Sequence, residues 1–163
     1  MNRLHILMTV IVVMVGALFA GHHAIAKVLT GTGGEDTLVG TDSDDRFTGL
    51  RGPDHLTGRD GEDRLKGSRG NDRLKGSREA DHLWGSRGND RLWGSRGNDK
   101  LIPGDGDDKV YAGVGNDLIY ARDTDGEDYI DCGAGFDEVE TIHRDDVTLS
   151  NCERAPGPGR GGI

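Results

Sequence analysis

Hydrophobic positions fall into two regimes along the chain. Near the N-terminus an apolar run extends from Ile6 to Val15 and continues through Gly16 to Ala20. From residue 27 onward apolar residues recur at a fixed interval instead: Leu38, Phe47, Leu56, Leu65, Leu74, Leu83, Leu92, Leu101, Val110 and Ile119 are nine apart. Each lies two positions after an aspartate, in the series Asp36, Asp45, Asp54, Asp63, Asp72, Asp81, Asp90, Asp99, Asp108 and Asp117. A glycine stands five positions before each of the first eight, from Gly31 to Gly94. We number the unit so that this glycine is position 1, the aspartate position 6 and the apolar residue position 8.

A nine-residue unit is too short and wrongly phased for an amphipathic helix. Its Gly-x-x-Gly-x-Asp half accepts positive φ and tight turning, with an aspartate able to hydrogen-bond its own backbone. The remaining x-Leu-x half predicts a three-residue strand with only the central side chain inward. Strand, turn, strand, turn then makes an 18-residue coil that stacks on the next at about 4.8 Å. After a two-residue insertion, Ala121-Arg122, two further units follow, with Asp128 before Ile130 and Asp137 before Val139. The expected fold is therefore all-β: a right-handed parallel β-roll solenoid of about twelve nonapeptide repeats, with a thin core of stacked Leu.

The N-terminal run changes the picture of where the chain works. Arg3 precedes it and Ala24-Ile25-Ala26 has the small-x-small form of a cleavage site, so residues 1–26 read as a cleaved export signal. The alternative, an uncleaved anchor, needs about 20 apolar residues. Export places the protein outside the cell, secreted or held at the cell surface, with no membrane span after cleavage. An oxidising compartment lets Cys132 pair with Cys152 and fasten the last coil. The β-roll with its cap is expected over 27–153, and 154–163, rich in Gly and Pro, as a loose tail.

Composition adds a conflict. The chain carries 29 acidic against 20 basic residues, a formal charge of −9, and after residue 26 it is poor enough in large apolar residues to suggest disorder. A gapless repeat contradicts that suggestion, unless a ligand completes the fold. Stacking ten carboxylates in two columns sets like charges close together, which is unfavourable unless cations intervene. A metal-free solenoid in which each Asp merely caps its turn is the competing reading.

Units such as Gly67-Ser68-Arg69-Gly70-Asn71-Asp72-Arg73-Leu74-Lys75 resemble the G-G-x-G-x-D-x-U-x nonapeptide of RTX proteins, the hemolysin-type calcium-binding repeats. The resemblance covers residues 31 to 140. It implies a parallel β-roll in which turns on the same edge, two units apart, hold several Ca²⁺ ions through backbone carbonyls and the motif aspartate. The implied ligands are Asp36, Asp45, Asp54, Asp63, Asp72, Asp81, Asp90, Asp99, Asp108, Asp117, Asp128 and Asp137. Hard oxygen ligands in flexible loops suit Ca²⁺, and 22 of the 29 acids are the shorter Asp.

The pattern departs at named places. Position 2 is usually Ser, Thr, Arg or Leu; Ser43 and Glu79 replace the position 4 glycine; Pro103 and Ala112 replace the first. Weaker turns are expected at Ser43 and Glu79. Extra aspartates at 42, 44, 60, 105, 107, 123 and 125 add charge to the edges or are simply solvated.

For catalysis the sequence offers little. His55, His82 and His143 lie in separate units or the tail, and no nucleophile elbow or paired-carboxylate cleft stands out. Arg51, Arg69, Arg78, Arg87 and Arg96 occupy position 3, and Lys66, Lys75, Trp84 and Trp93 occupy position 9, facing outward. The leading reading is a secreted, non-enzymatic calcium-binding protein that folds on Ca²⁺. A second is a calcium-stiffened adhesion module whose Arg and Trp faces bind a cell-surface polysaccharide or polyanion; a third is an accessory to an unknown partner protein. Nucleic acid fits poorly with an exported acidic chain.

Overall fold

The computed structural model describes residues 25–122, 126–141 and 147–152. Most of the expected export signal and all of the expected tail lie outside these residues. The described strands are β1 (Val28–Thr30), β2 (Thr37–Val39), β3 (Arg46–Arg51), β4 (His55–Arg59), β5 (Arg64–Arg69), β6 (Arg73–Ser77), β7 (His82–Arg87), β8 (Arg91–Arg96), β9 (Lys100–Asp105), β10 (Lys109–Val114), β11 (Leu118–Ala121), β12 (Asp128–Ala134), β13 (Glu138–Thr141) and β14 (Val147–Ser150).

Odd and even strands separate into two seven-stranded sheets, ordered β1-β3-β5-β7-β9-β11-β13 and β14-β12-β10-β8-β6-β4-β2. Every pairing is parallel. The chain is thus an all-β parallel β-roll, as its periodicity predicts. β1 and β14 flank the strands of the twelve repeats and add one at each end.

An 18-residue register places Leu65 between Phe47 and Leu83 in one sheet, and Leu74 between Leu56 and Leu92 in the other. Beyond the insertion the spacing becomes 20, with Val110 opposite Ile130 and Ile119 opposite Val139, so the columns continue unbroken. The core consists of these two apolar columns, buried from Leu29 to Val139. Burying one large apolar side chain per unit, alternately from the two sheets, is what a rod this polar can achieve.

The strands are longer than the three residues expected. In β5, Leu65 and Gly67 are both buried while Arg64 and Lys66 are exposed, and β6 to β10 repeat this alternation. Position 1 is therefore a second inward position rather than part of a turn. The pairing register skips it: Thr48 pairs Lys66 and Leu50 pairs Ser68, with no pairing of Gly49 to Gly67. The position 1 N–H nevertheless bonds the next coil at Gly31 and Gly40, to the Thr48 and Thr57 carbonyls at 2.8 Å; Pro103 has no such donor, and the β9–β11 register stops at Leu101 and Ile119.

The buried aspartate columns

Eleven of the twelve motif aspartates, from Asp45 to Asp137, are buried, none more than 6% exposed; Asp36 is half-buried. Asp45 Oδ1 accepts the Thr41 hydroxyl of its own turn at 3.3 Å and the Lys27 N–H. From Asp54 onward each Oδ1 instead accepts the main-chain N–H of the motif aspartate in the preceding coil: Asp54 from Asp36 at 2.9 Å, Asp72 from Asp54 at 2.8 Å and Asp90 from Asp72 at 2.7 Å. The chain of bonds continues through Asp108 to Asp128. On the opposite edge Asp63, Asp81, Asp99, Asp117 and Asp137 serve the N–H groups of Asp45, Asp63, Asp81, Asp99 and Asp117.

The second carboxylate oxygen divides the column in two. In the first units it is satisfied: Asp36 Oδ2 accepts the Thr32 N–H at 2.6 Å and hydroxyl at 3.0 Å. Asp45 Oδ2 likewise accepts the Thr41 N–H at 2.6 Å and hydroxyl at 3.2 Å. From there on, Oδ2 of Asp54, Asp63, Asp72, Asp81, Asp90, Asp99, Asp117 and Asp137 is buried and receives no hydrogen bond among the described residues. The backbone changes at the same point. Position 2 has positive φ at Leu50 (88°), Arg59 (96°), Ser68 (96°), Ser77 (117°), Ser86 (94°) and Ser95 (90°), a region Thr32 and Thr41 do not enter. Non-glycine residues enter it at a cost of about 1 kcal/mol or more each.

From Asp54 to Asp99 each stranded oxygen lies against the position 1 glycine. A Cβ on Gly49 would overlap Asp54 Oδ2 and approach the Gly67 carbonyl oxygen of the next coil to 2.9 Å; Gly85 is hemmed in by Asp90 Oδ2 and the Pro103 carbonyl, and Gly94 by Asp99 Oδ2 and the Ala112 carbonyl. In these units carboxylate and carbonyl oxygens converge on a small space into which a Cβ would intrude, whereas in later units Ala112 and Cys132 occupy the buried position 1.

Burial of this column is electrostatically unfavourable. Desolvation pushes the carboxyl of Asp54 up to about 6, Asp63 and Asp90 to about 7, Asp81 to about 8, Asp99 to about 6 and Asp117 to about 7, and it raises Asp72. Bonds from the neighbouring backbone oppose the shift without cancelling it. Such carboxylates need a proton or a cation. Among the described residues no group of three or more His, Cys, Asp or Glu side chains could hold a metal, so a cation here would draw on one carboxylate per turn and main-chain carbonyls. Ca²⁺ accepts that donor set, whereas a metal preferring imidazole or thiolate does not.

The departures sort themselves. Glu79 takes φ 64° at position 4, as a glycine would, and its carboxylate accepts the Gly61 N–H at 3.0 Å, so that turn keeps the backbone it was expected to lose. Ser43 has no positive φ, and the expected change of turn is seen there. Cys132 fills a buried position 1 and is joined by a disulfide to Cys152, with Cα atoms 4.9 Å apart.

Several extra aspartates are surface partners. Asp60 pairs with Arg78 at 2.9 Å, Asp105 with Arg87 at 3.5 Å, and Asp44 and Asp107 accept the N–H groups of Glu62 and Glu127. Asp123, Asp125 and His143 lie outside the described residues. His55 meets Arg73 at 2.8 Å, and His82 stands edge-on to Trp84, its pKa lowered by burial and nearby cations.

Position 5 builds a row that sequence reasoning missed: Asn71 accepts from the Asn89 N–H, Asn98 from Asn116, and Asn116 from Phe136. Recurrence of Asn immediately before Asp was the available signal.

Comparison with known proteins bears on the ion. No curated protein matches the chain. A family model for the RTX calcium-binding nonapeptide repeat matches in four copies, at residues 30–65, 39–74, 66–101 and 102–139. These cover about two thirds of the sequence and all the stranded oxygens described above. On that coverage the chain belongs to the RTX calcium-binding nonapeptide repeat family.

Proposed function

We propose that this is an exported, non-enzymatic protein whose β-roll folds as it binds Ca²⁺. The observation that carries the reading is the row of buried Oδ2 atoms without hydrogen-bond partners, with a carbonyl of the next coil close by at Asp54, Asp90 and Asp99. The proposed ligands are the motif aspartates from Asp54 to Asp137. Asp36 and Asp45 belong to the same columns, but Thr32 and Thr41 already occupy their outer oxygens, so the first coil serves as a metal-independent start of the rod. Residues 1–26 act as the export signal, and the Cys132–Cys152 disulfide fastens the last coil.

Without the ion, desolvated carboxylates and a thin core compete poorly with chain entropy. Calcium titration of the chain lacking residues 1–26, followed by circular dichroism, tests the coupling. Strand signal should appear with a midpoint of roughly 10⁻⁴ to 10⁻³ M, as in extracellular modules. Strand signal that survives chelation at neutral pH unchanged would overturn it.

A further inference from the structure

The net charge conceals a basic surface. Residues 59–100 hold eleven Lys and Arg and eight acids. Five of those acids, Asp63, Asp72, Asp81, Asp90 and Asp99, are buried in the columns, while all eleven cations lie outside the core. Once the buried carboxylates are neutralised by bound ions, only Asp60, Glu62 and Glu79 oppose those cations at the surface of this segment.

Parallel stacking converts repeated positions into rows with a step of about 4.8 Å. On one edge Arg59, Ser77 and Ser95 stack in register, beside the position 3 row of Asp60, Arg78 and Arg96. With Lys75 they line an open groove of about 760 Å³, which Asp42 and Asp60 flank toward the first coil and Val114 toward the later ones. Arg78 is tied to Asp60, but among the described residues Arg59, Lys75 and Arg96 make no ion pair. The groove therefore offers three uncommitted cations and two hydroxyls on a regular axial repeat.

We propose that this groove binds a linear anionic polysaccharide along the rod axis, its sulfate or carboxylate groups on Arg59, Lys75 and Arg96 and its hydroxyls on Ser77 and Ser95. Evenly spaced charge on the protein suits evenly spaced charge on a polymer. Single-stranded nucleic acid is disfavoured because it is held by aromatic platforms on which bases stack. Here the neighbouring Trp93 and Tyr111 rings stack on each other, 5.9 Å apart and 8° from parallel, so the faces they share are already engaged. The proposal rests on the calcium-folded rod.

Binding to heparin, with neutral dextran as control, would be measured at several salt concentrations in saturating Ca²⁺, with circular dichroism reporting the fold in parallel. We expect saturable, salt-sensitive binding to heparin and none to dextran. Arg59→Ala/Lys75→Ala/Arg96→Ala should weaken it on the order of ten- to hundred-fold with the strand signal intact; single Arg96→Glu should weaken it in the same direction. Arg51→Ala/Arg69→Ala/Arg87→Ala removes equal charge from position 3 on the other edge and should cost far less. Equal loss in both triple variants, absence of binding by the folded chain, or equal or tighter binding to a single-stranded oligonucleotide or to vesicles containing phosphatidylserine would overturn the proposal. Failure to fold with Ca²⁺ would instead strike the calcium reading.

Discussion

The turns of Asp36 and Asp45 share their spacing with those of Asp54 and its successors, yet the two groups treat the same carboxylate differently. In the first coil a threonine at position 2 keeps φ out of the positive region and gives both its N–H and its hydroxyl to Oδ2. From Leu50 onward position 2 swings to positive φ, and Oδ2 of Asp54, Asp63, Asp72, Asp81, Asp90, Asp99, Asp117 and Asp137 is left buried without a donor among the described residues. Registered aspartate is therefore not enough to make an ion site. What decides is whether the protein supplies a donor for the second oxygen, because a satisfied carboxylate has less to gain from a cation.

The sharpest way to break this comparison is to remove carboxylates from each group. Asp72→Ala/Asp90→Ala, same-edge neighbours, should raise the calcium midpoint of folding roughly ten-fold or more. Asp36→Ala/Asp45→Ala should leave it nearly unchanged while lowering stability at saturating calcium. Equal shifts in the two titrations would erase the distinction.

Proton binding offers the next largest effect. Folded pKa values of about 6 to 8 lie above the ordinary 3.8 for Asp54, Asp63, Asp81, Asp90, Asp99 and Asp117. The folded chain then binds more protons than the unfolded one, so these groups favour folding most below about pH 4, and their contribution is lost as pH rises through 6 to 8. Metal-free protein should show more strand signal by circular dichroism near pH 4.5 than at pH 8, and saturating Ca²⁺ should flatten the difference. A metal-free chain more ordered at pH 8 would contradict the sign.

At the far end of the rod the fastening is covalent. Cys132→Ser/Cys152→Ser should destabilise the calcium-loaded protein by about 3 kcal/mol in the chain-entropy view. Hydrogen exchange should locate the loosening in β12 and β14 and spare β2 and β4. The smallest effect concerns the threonines: Thr32→Ala/Thr41→Ala removes the hydroxyls but keeps the N–H donors, for about 1 kcal/mol per site. Denaturant unfolding at fixed calcium measures it, and a change in calcium stoichiometry would show that the hydroxyls had been excluding an ion.

Architecture was legible in the sequence because the apolar period equals the structural unit: Leu56, Leu74 and Leu92 sit in one column simply by being 18 apart. The aspartate chemistry was legible only in outline. Position 6 marks the residue, but its Oδ1 partner belongs to another coil, and that pairing emerges from stacking rather than from local turn propensity. Gly67 and its equivalents read as turn formers, yet they face inward, where a Cβ would collide with Oδ2. Thr41 looked like a flawed glycine and acts as a carboxylate partner; Glu79 looked like a broken turn and adopts the glycine conformation.

Direction is built into the aspartate chain. From Asp36 to Asp137 every bond between motif aspartates runs from a main-chain N–H in one coil to a side chain in the coil that follows, as from Asp81 to Asp99 and from Asp99 to Asp117, whereas the exposed position 5 asparagines bond in the opposite direction. A coil therefore acquires its interior acceptor only when the next has docked, whereas its own Oδ1 finds a donor already waiting. Growth toward the C-terminus always adds a carboxylate to an exposed N–H; growth the other way would bury a carboxylate oxygen before its donor arrived. For a chain that emerges N-terminus first, this polarity of the buried bonds favours winding toward the C-terminus, each turn completing the interior of the one made before it.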